Sequence, residues 1–189
     1  PDLSDAYNLR GLIYSSLGDT ALAESSFKRA LQLRPRDADA LHNYGWFLCQ
    51  QQRFKEAIPQ FQAAIEVPQY RGIARSFGAK GICQAQSGLW IEAEGSLMRS
   101  FELDPSNPGT AMNLAEVLYR RADYERARFY VALVNSRGET TNAQSLWLAV
   151  RIENKAGNAG KATDLGEQLK ARFPKAPEVQ LYERRRFDE

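Results

Sequence analysis

Few side chains in this sequence could do covalent or acid–base chemistry. It holds one histidine, His42, and two cysteines, Cys49 and Cys83. A histidine-based metal centre, an H-E-x-x-H helix or a Ser-His-Asp triad needs more imidazole or a partnered one. His42 has only Asp39 at helical spacing, so it reads as a surface histidine. Glu92 and Glu94, like Asp37 and Asp39, stand two apart and on a helix would point to different sides, which does not suggest a general acid–base pair. The stretch Gly157-Asn158-Ala159-Gly160-Lys161-Ala162 has the look of a phosphate loop but lacks the glycine spacing and the hydroxyl after lysine, and reads as a turn. The even cysteine pair is compatible with one disulfide or with two separate buried thiols. No catalytic residue, metal or cofactor is expected, and the chain is read as a non-enzyme.

What the sequence carries instead is periodicity. The chain has 189 residues, 43% hydrophobic and 25% charged, an ordinary globular composition that excludes disorder and collagen-like structure. Its net charge of +2, spread over the whole surface, points neither to nucleic acid nor to an anionic membrane. The one dense basic cluster, Arg184-Arg185-Arg186, reads as a solvated helix end. No apolar run approaches the roughly 18 residues that a spanning helix needs. Alanine recurs at Ala23, Ala57, Ala93, Ala127 and Ala162. Twelve residues before each stands Gly11, Gly45, Gly81, Ala115 or Val150, mostly small, as a close crossing of two helices requires. Seven residues after each stands Ala30, Ala64, Ser100, Val134 or Leu169. Gly18-Asp19, Gly88 and Gly157-Asn158 fall where a first helix must stop and reverse. Pro35, Pro105 and Pro174 end second helices.

A period of 34 to 36 residues with these positions in phase resembles the tetratricopeptide repeat. The fold class expected is all-α, a right-handed superhelical solenoid of helix-turn-helix hairpins forming one domain over 1–189. The hairpins are read at 4–37, 38–71, 74–107, 108–141 and 143–176, with a capping helix over 177–189. Two extra residues between the second and third fall in the stretch Val67-Pro68-Gln69-Tyr70-Arg71-Gly72. Arg10, Lys80 and Gln84 stand where the repeat is usually apolar or aromatic, and Gly166 replaces a large residue, so the fifth hairpin is expected to pack least tightly.

Stacked hairpins present a groove lined by their first helices. Helical spacing places there Leu12, His42, Trp46, Ile82, Met112, Glu116, Tyr119, Trp147 and Arg151. Aromatic anchors in a concave site suit an apolar helix face or an extended peptide. The same residues could instead pack adjacent hairpins together, and for Trp46 and Ile82 the two readings stand level. Tetratricopeptide modules that grip a C-terminal carboxylate use lysine, asparagine and arginine at set positions. Asn43 and Arg75 fit two of these, but Asn8 and Leu12 stand where lysine and asparagine are expected, which argues against a carboxylate reader.

Asn43-Tyr44-Gly45-Trp46-Phe47-Leu48-Cys49 resembles the N-Y-G-x-F-L stretch of the type IV pilus biogenesis tetratricopeptide lipoproteins, the PilW/PilF pilotin family. Leu114-Ala115-Glu116-Val117-Leu118-Tyr119, Ala143-Gln144-Ser145-Leu146-Trp147-Leu148 and the run from Gln168-Leu169-Lys170 to Phe173-Pro174 resemble later units of that family. The resemblance implies a scaffold at the periplasmic face of the outer membrane of a Gram-negative bacterium, held by a lipid anchor that would precede Pro1; the free protein is expected to be monomeric. It implies a noncovalent role in assembly or placement of the secretin, and so in pilus stability, with the secretin subunit or another pilus assembly protein as partner. The competing reading is a general cytosolic adaptor for peptide segments. An oxidising periplasm, with Cys49 and Cys83 on the first helices of consecutive units, favours a disulfide between them, although they lie two positions out of strict register.

Overall fold

A computed structural model describes residues 3–136 and 138–188, which are helical with no strand among them. The helices are α1 (Leu3–Ser16), α2 (Thr20–Leu33), α3 (Ala38–Gln50), α4 (Phe54–Ile65), α5 (Ile73–Gln86), α6 (Trp90–Leu103), α7 (Pro108–Arg120), α8 (Tyr124–Asn135), α9 (Ala143–Lys155), α10 (Ala159–Arg172) and α11 (Pro177–Glu183). The chain divides into two compact units, Pro1–Asp104 with α1 to α6 and Pro105–Glu189 with α7 to α11.

Five of these helices start at a side chain that accepts an otherwise orphaned first-turn N–H group. Asp19 accepts from Leu22 N, Asp37 from Ala40 N, Asn107 from Thr110 N and Asp123 from Arg126 N. Asn142 and Ser145 exchange hydrogen bonds as a capping box at the head of α9. The first helix of every hairpin ends the same way. Asp19, Arg53, Leu89, Asp123 and Asn158 each donate a backbone N–H to the carbonyl five residues earlier, at 2.9 to 3.0 Å. This is the Schellman closure, which needs a left-handed residue just before the donor. Gly18, Gly88 and Gly157 supply it at φ near 80°, but Gln52 (58°) and Ala122 (60°) do so in the other two turns, where no glycine marks the stop.

The five periodic alanines are all buried, four of them completely. The small residue twelve positions earlier faces a large one on the second helix of its hairpin. A Cβ on Gly11 would lie 2.7 Å from the Phe27 ring, one on Gly45 3.1 Å from Phe61, and one on Gly81 2.6 Å from Leu97. Along the chain this pair of positions reads Gly11 and Phe27, Gly45 and Phe61, Gly81 and Leu97, Ala115 and Val131, Val150 and Gly166. The first member grows as the second shrinks, so the pair keeps its volume roughly constant, which close-packed interiors demand.

Gly166 is therefore no void. The space beside it is filled by Tyr182 of α11, whose ring lies where a Cβ would be, and the loose packing expected around Gly166 is corrected accordingly. The final helix is also shorter than the 177–189 expected. It ends at Glu183 because Arg185 turns left-handed (φ 55°) and Arg186 donates to Leu181 O, the same closure as in the hairpin turns and again without glycine. The polar residues at usually apolar positions have local partners: Arg10 donates to Ser26, Lys80 to Gln62, and Gln84 accepts from Ser96.

Two substitutions separate turn chemistry from crossing chemistry. Ala122→Gly removes a Cβ from a left-handed turn and is expected to stabilise the protein by about 0.5–1 kcal/mol. Gly81→Ala places a methyl against Leu97 and the Ala93 carbonyl and is expected to destabilise by about 1–3 kcal/mol. Urea unfolding of both variants checks the opposite signs.

Candidate protein-binding surface

In the first unit, α3 packs between α1 and α5, so first helices do lie side by side. Trp46 is half-buried and, with Cys49, Gln50, Gln52, Phe54 and Gln86, lines a surface recess. Leu12 is exposed on α1 and Ile82 half-buried on α5; neither lines that recess. His42 is not on the surface. It is 7% exposed, its Nδ1 lies 2.9 Å from Ser76 Oγ of α5, and its ring sits edge-on to Phe61 at 5.6 Å. The reading of His42 as a surface or groove residue is thus corrected: it is a packed link between two hairpins. Cys49 and Cys83 meet directly, with Cα atoms 5.8 Å apart, inside the range a disulfide needs.

In the second unit, α7 and α9 bring Glu116, Tyr119, Trp147 and Arg151 together, while Met112 is half-buried on α7. The Arg151 guanidinium lies 4.5 Å from the centre of the Tyr119 ring and 3.7 Å from Glu116 Oε2, and Glu116 also accepts from Arg120 at 2.9 Å. This cluster is covered by the chain itself. Phe187 stacks on Trp147 with ring centroids 5.8 Å apart, the Tyr119 hydroxyl donates to Phe187 O at 3.4 Å, and Lys155 pairs with Asp188 at 2.5 Å. Tyr119, Trp147 and Arg151 are consequently 5–8% exposed, which corrects the expectation that they line an open groove. Lys155, Phe187 and Asp188 escaped the sequence reading because no glycine at Arg185 signals the turn that brings the segment back.

The carboxylate-gripping positions are satisfied internally. Asn43 donates to Asn8 Oδ1 at 3.2 Å and Arg75 pairs with Asp39 at 2.8 Å.

The tetratricopeptide repeat family matches residues 8–71. The type IV pilus assembly protein PilF of Pseudomonas aeruginosa is 29% identical over 183 residues, covering 97% of this chain and 72% of that protein. The crystal structure of PilW, a widely conserved type IV pilus biogenesis factor, is 33% identical and superposes with a TM-score of 0.88 over 95% of this chain and 82% of its own. The chain belongs to the PilW/PilF family of type IV pilus biogenesis proteins. A solved structure of Pseudomonas aeruginosa PilF agrees, at 28% identity and a TM-score of 0.83 over 96% of this chain and 82% of its own.

In this family member the titratable groups near the candidate surfaces serve packing. Burial, reinforced by the positive charge of Arg75, pushes His42 down to about 4. The hydrogen bond from Arg53, with help from Lys28 and Tyr44, outweighs burial and holds Glu24 down to about 2. For His42 the sign is fixed: its folded-state pKa lies below that of the unfolded chain, so the unfolded chain takes up the proton first as pH falls. Stability contributed by the neutral ring is present above about pH 6.5 and is lost as pH drops towards 4. Urea unfolding at pH 7 and pH 5 is expected to show a loss of about 2 kcal/mol in the wild-type protein that His42→Gln largely removes. An equal loss in both proteins would assign the effect to carboxylates instead.

Proposed function

We propose that the protein is a non-enzymatic scaffold that holds the secretin subunit, or another pilus assembly protein, during assembly or placement of the outer-membrane channel. The observation that carries this reading is the 33% identity to PilW across nearly the whole chain. The first-unit recess fits it, because it offers two half-buried aromatics, Trp46 and Phe54, at the surface. In the first unit the contact is assigned to Trp46 with Leu12 and Ile82 on the neighbouring first helices, a half-buried aromatic being a strong interface anchor. No helix among the described residues is long and apolar enough to cross a membrane. Attachment by a lipid to the periplasmic face of the outer membrane belongs to the proposal through the resemblance to the pilus biogenesis lipoproteins.

The periplasmic reading also makes Cys49 and Cys83 a disulfide. Closing a loop with a sequence separation of 34 residues restricts the unfolded chain by about 3–4 kcal/mol on the chain-entropy account.

Two measurements test these assignments. Binding of the purified secretin periplasmic region to the wild-type protein and to Trp46→Ala, with helicity checked by circular dichroism, is expected to weaken about tenfold or more in the variant; undetectable binding to the wild type would remove the secretin as partner. Thiol titration in denaturant without reductant is expected to find no free thiol, and reduction to lower the stability by about 2–4 kcal/mol. Two titratable thiols would remove the bridge.

A further inference from the structure

Phe187 and Asp188 occupy the face formed by α7 and α9 as a bound peptide would. They place an aromatic ring on Trp147, a backbone carbonyl on the Tyr119 hydroxyl and a carboxylate on Lys155. Three features mark this segment as an exchangeable occupant. It leaves buried donors unmet: Trp147 Nε1 and Arg151 Nε have no acceptor among the described residues although both side chains are more than nine-tenths buried, and unmade buried hydrogen bonds are costly. Its ion pair is weak, since the Asp188 side chain is 82% exposed. Its approach runs through Arg185 in a left-handed conformation that disfavours any side chain, after a helix of only seven residues. A segment whose residues are mostly exposed opens at low cost.

We infer that the α7–α9 face is a binding surface for an extended partner segment carrying an aromatic residue followed by an acidic one, and that Phe187 and Asp188 are the resident occupants such a partner displaces. The aromatic side chain takes the Trp147 face, the acidic group takes Lys155, and carbonyl oxygens of the partner's backbone satisfy Trp147 Nε1 and Arg151 Nε, which the resident segment leaves without acceptors. This reading deepens the proposed scaffold function by stating the chemistry of the segment recognised. A resident competitor lowers apparent affinity by the fraction of molecules left open, so releasing it raises affinity for the same segment in trans.

The test uses the full chain and a fluorescein-labelled peptide with the sequence of residues 182–189. Phe187→Ala, and independently Asp188→Lys, which repels Lys155 without touching the core, are expected to bind this peptide at least tenfold more tightly than the wild type. Lys155→Glu added to either variant is expected to reverse at least fivefold of that gain. A peptide with alanine in place of its phenylalanine is expected not to bind. Equal affinity in the wild type and both releasing variants, or binding indifferent to the peptide's phenylalanine, would overturn the inference. Secretin binding measured in parallel keeps the two readings apart: peptide binding without secretin binding removes only the secretin assignment, and secretin binding without peptide binding removes only this surface.

Discussion

Everything in this molecule depends on how closely the two helices of each hairpin can cross. A hairpin of two helices of 12 to 14 residues cannot bury an apolar stripe by itself, so its stability comes from contact with its partner helix and with the neighbouring hairpin. The periodic alanines set the approach distance, and the reciprocal pair ahead of and behind each alanine fills what remains. Where glycine stands on the first helix, phenylalanine or leucine fills the space from the second. At the fifth crossing the order is inverted, with Val150 on the first helix, and the gap beside Gly166 is closed from outside by Tyr182. One volume constraint thus explains both the regular pattern and its exception.

Two pairs of long polar side chains, partly buried, link adjacent hairpins. Arg53, at the head of α4, donates two hydrogen bonds to Glu24 of α2, which also accepts from Tyr44 of α3. In the second unit Arg128 of α8 donates twice to Glu153 of α9, which Asn158 also reaches. Such bonds fix the register between adjacent hairpins, and a lost partner costs most at Glu153, whose side chain is 6% exposed against 23% for Glu24. His42 and Ser76 do the same between α3 and α5. Burial on that link, not proximity to a functional group, is what depresses the imidazole, so a perturbed pKa here marks structure.

The fold was legible because its signals are local or strictly periodic. Side chains at a spacing of 34 to 36 residues located each hairpin, and glycine located three of its turns. The turns at Gln52 and Ala122 carried no such mark, since their left-handed geometry is imposed by the helix closure around them. The candidate surface was less legible for a related reason. Helical spacing correctly put Tyr119, Trp147 and Arg151 on neighbouring first helices, but it says nothing of what lies over them. His42 was misplaced because a lone histidine beside an aspartate has no local feature distinguishing a surface site from an interhelical link that forms 34 residues away.

The contrast between α1 and α9 shows why spacing alone cannot separate packing from binding. Both are first helices of 13 or 14 residues, yet only Ser4 and Gly11 of α1 are buried, whereas nine consecutive residues of α9 are. The difference is not compositional. Helix α9 contacts α7, α8, α10 and α11 within its unit, whereas α1 contacts α2 and α3, and α9 also receives Phe187 on Trp147. In a repeat protein a first-helix side chain is a packing residue when a neighbour covers it and a binding residue when that cover can leave. Trp147 is a packing residue in this structure, and on the inference drawn above the same indole face that closes the second unit is the one a competing segment would use.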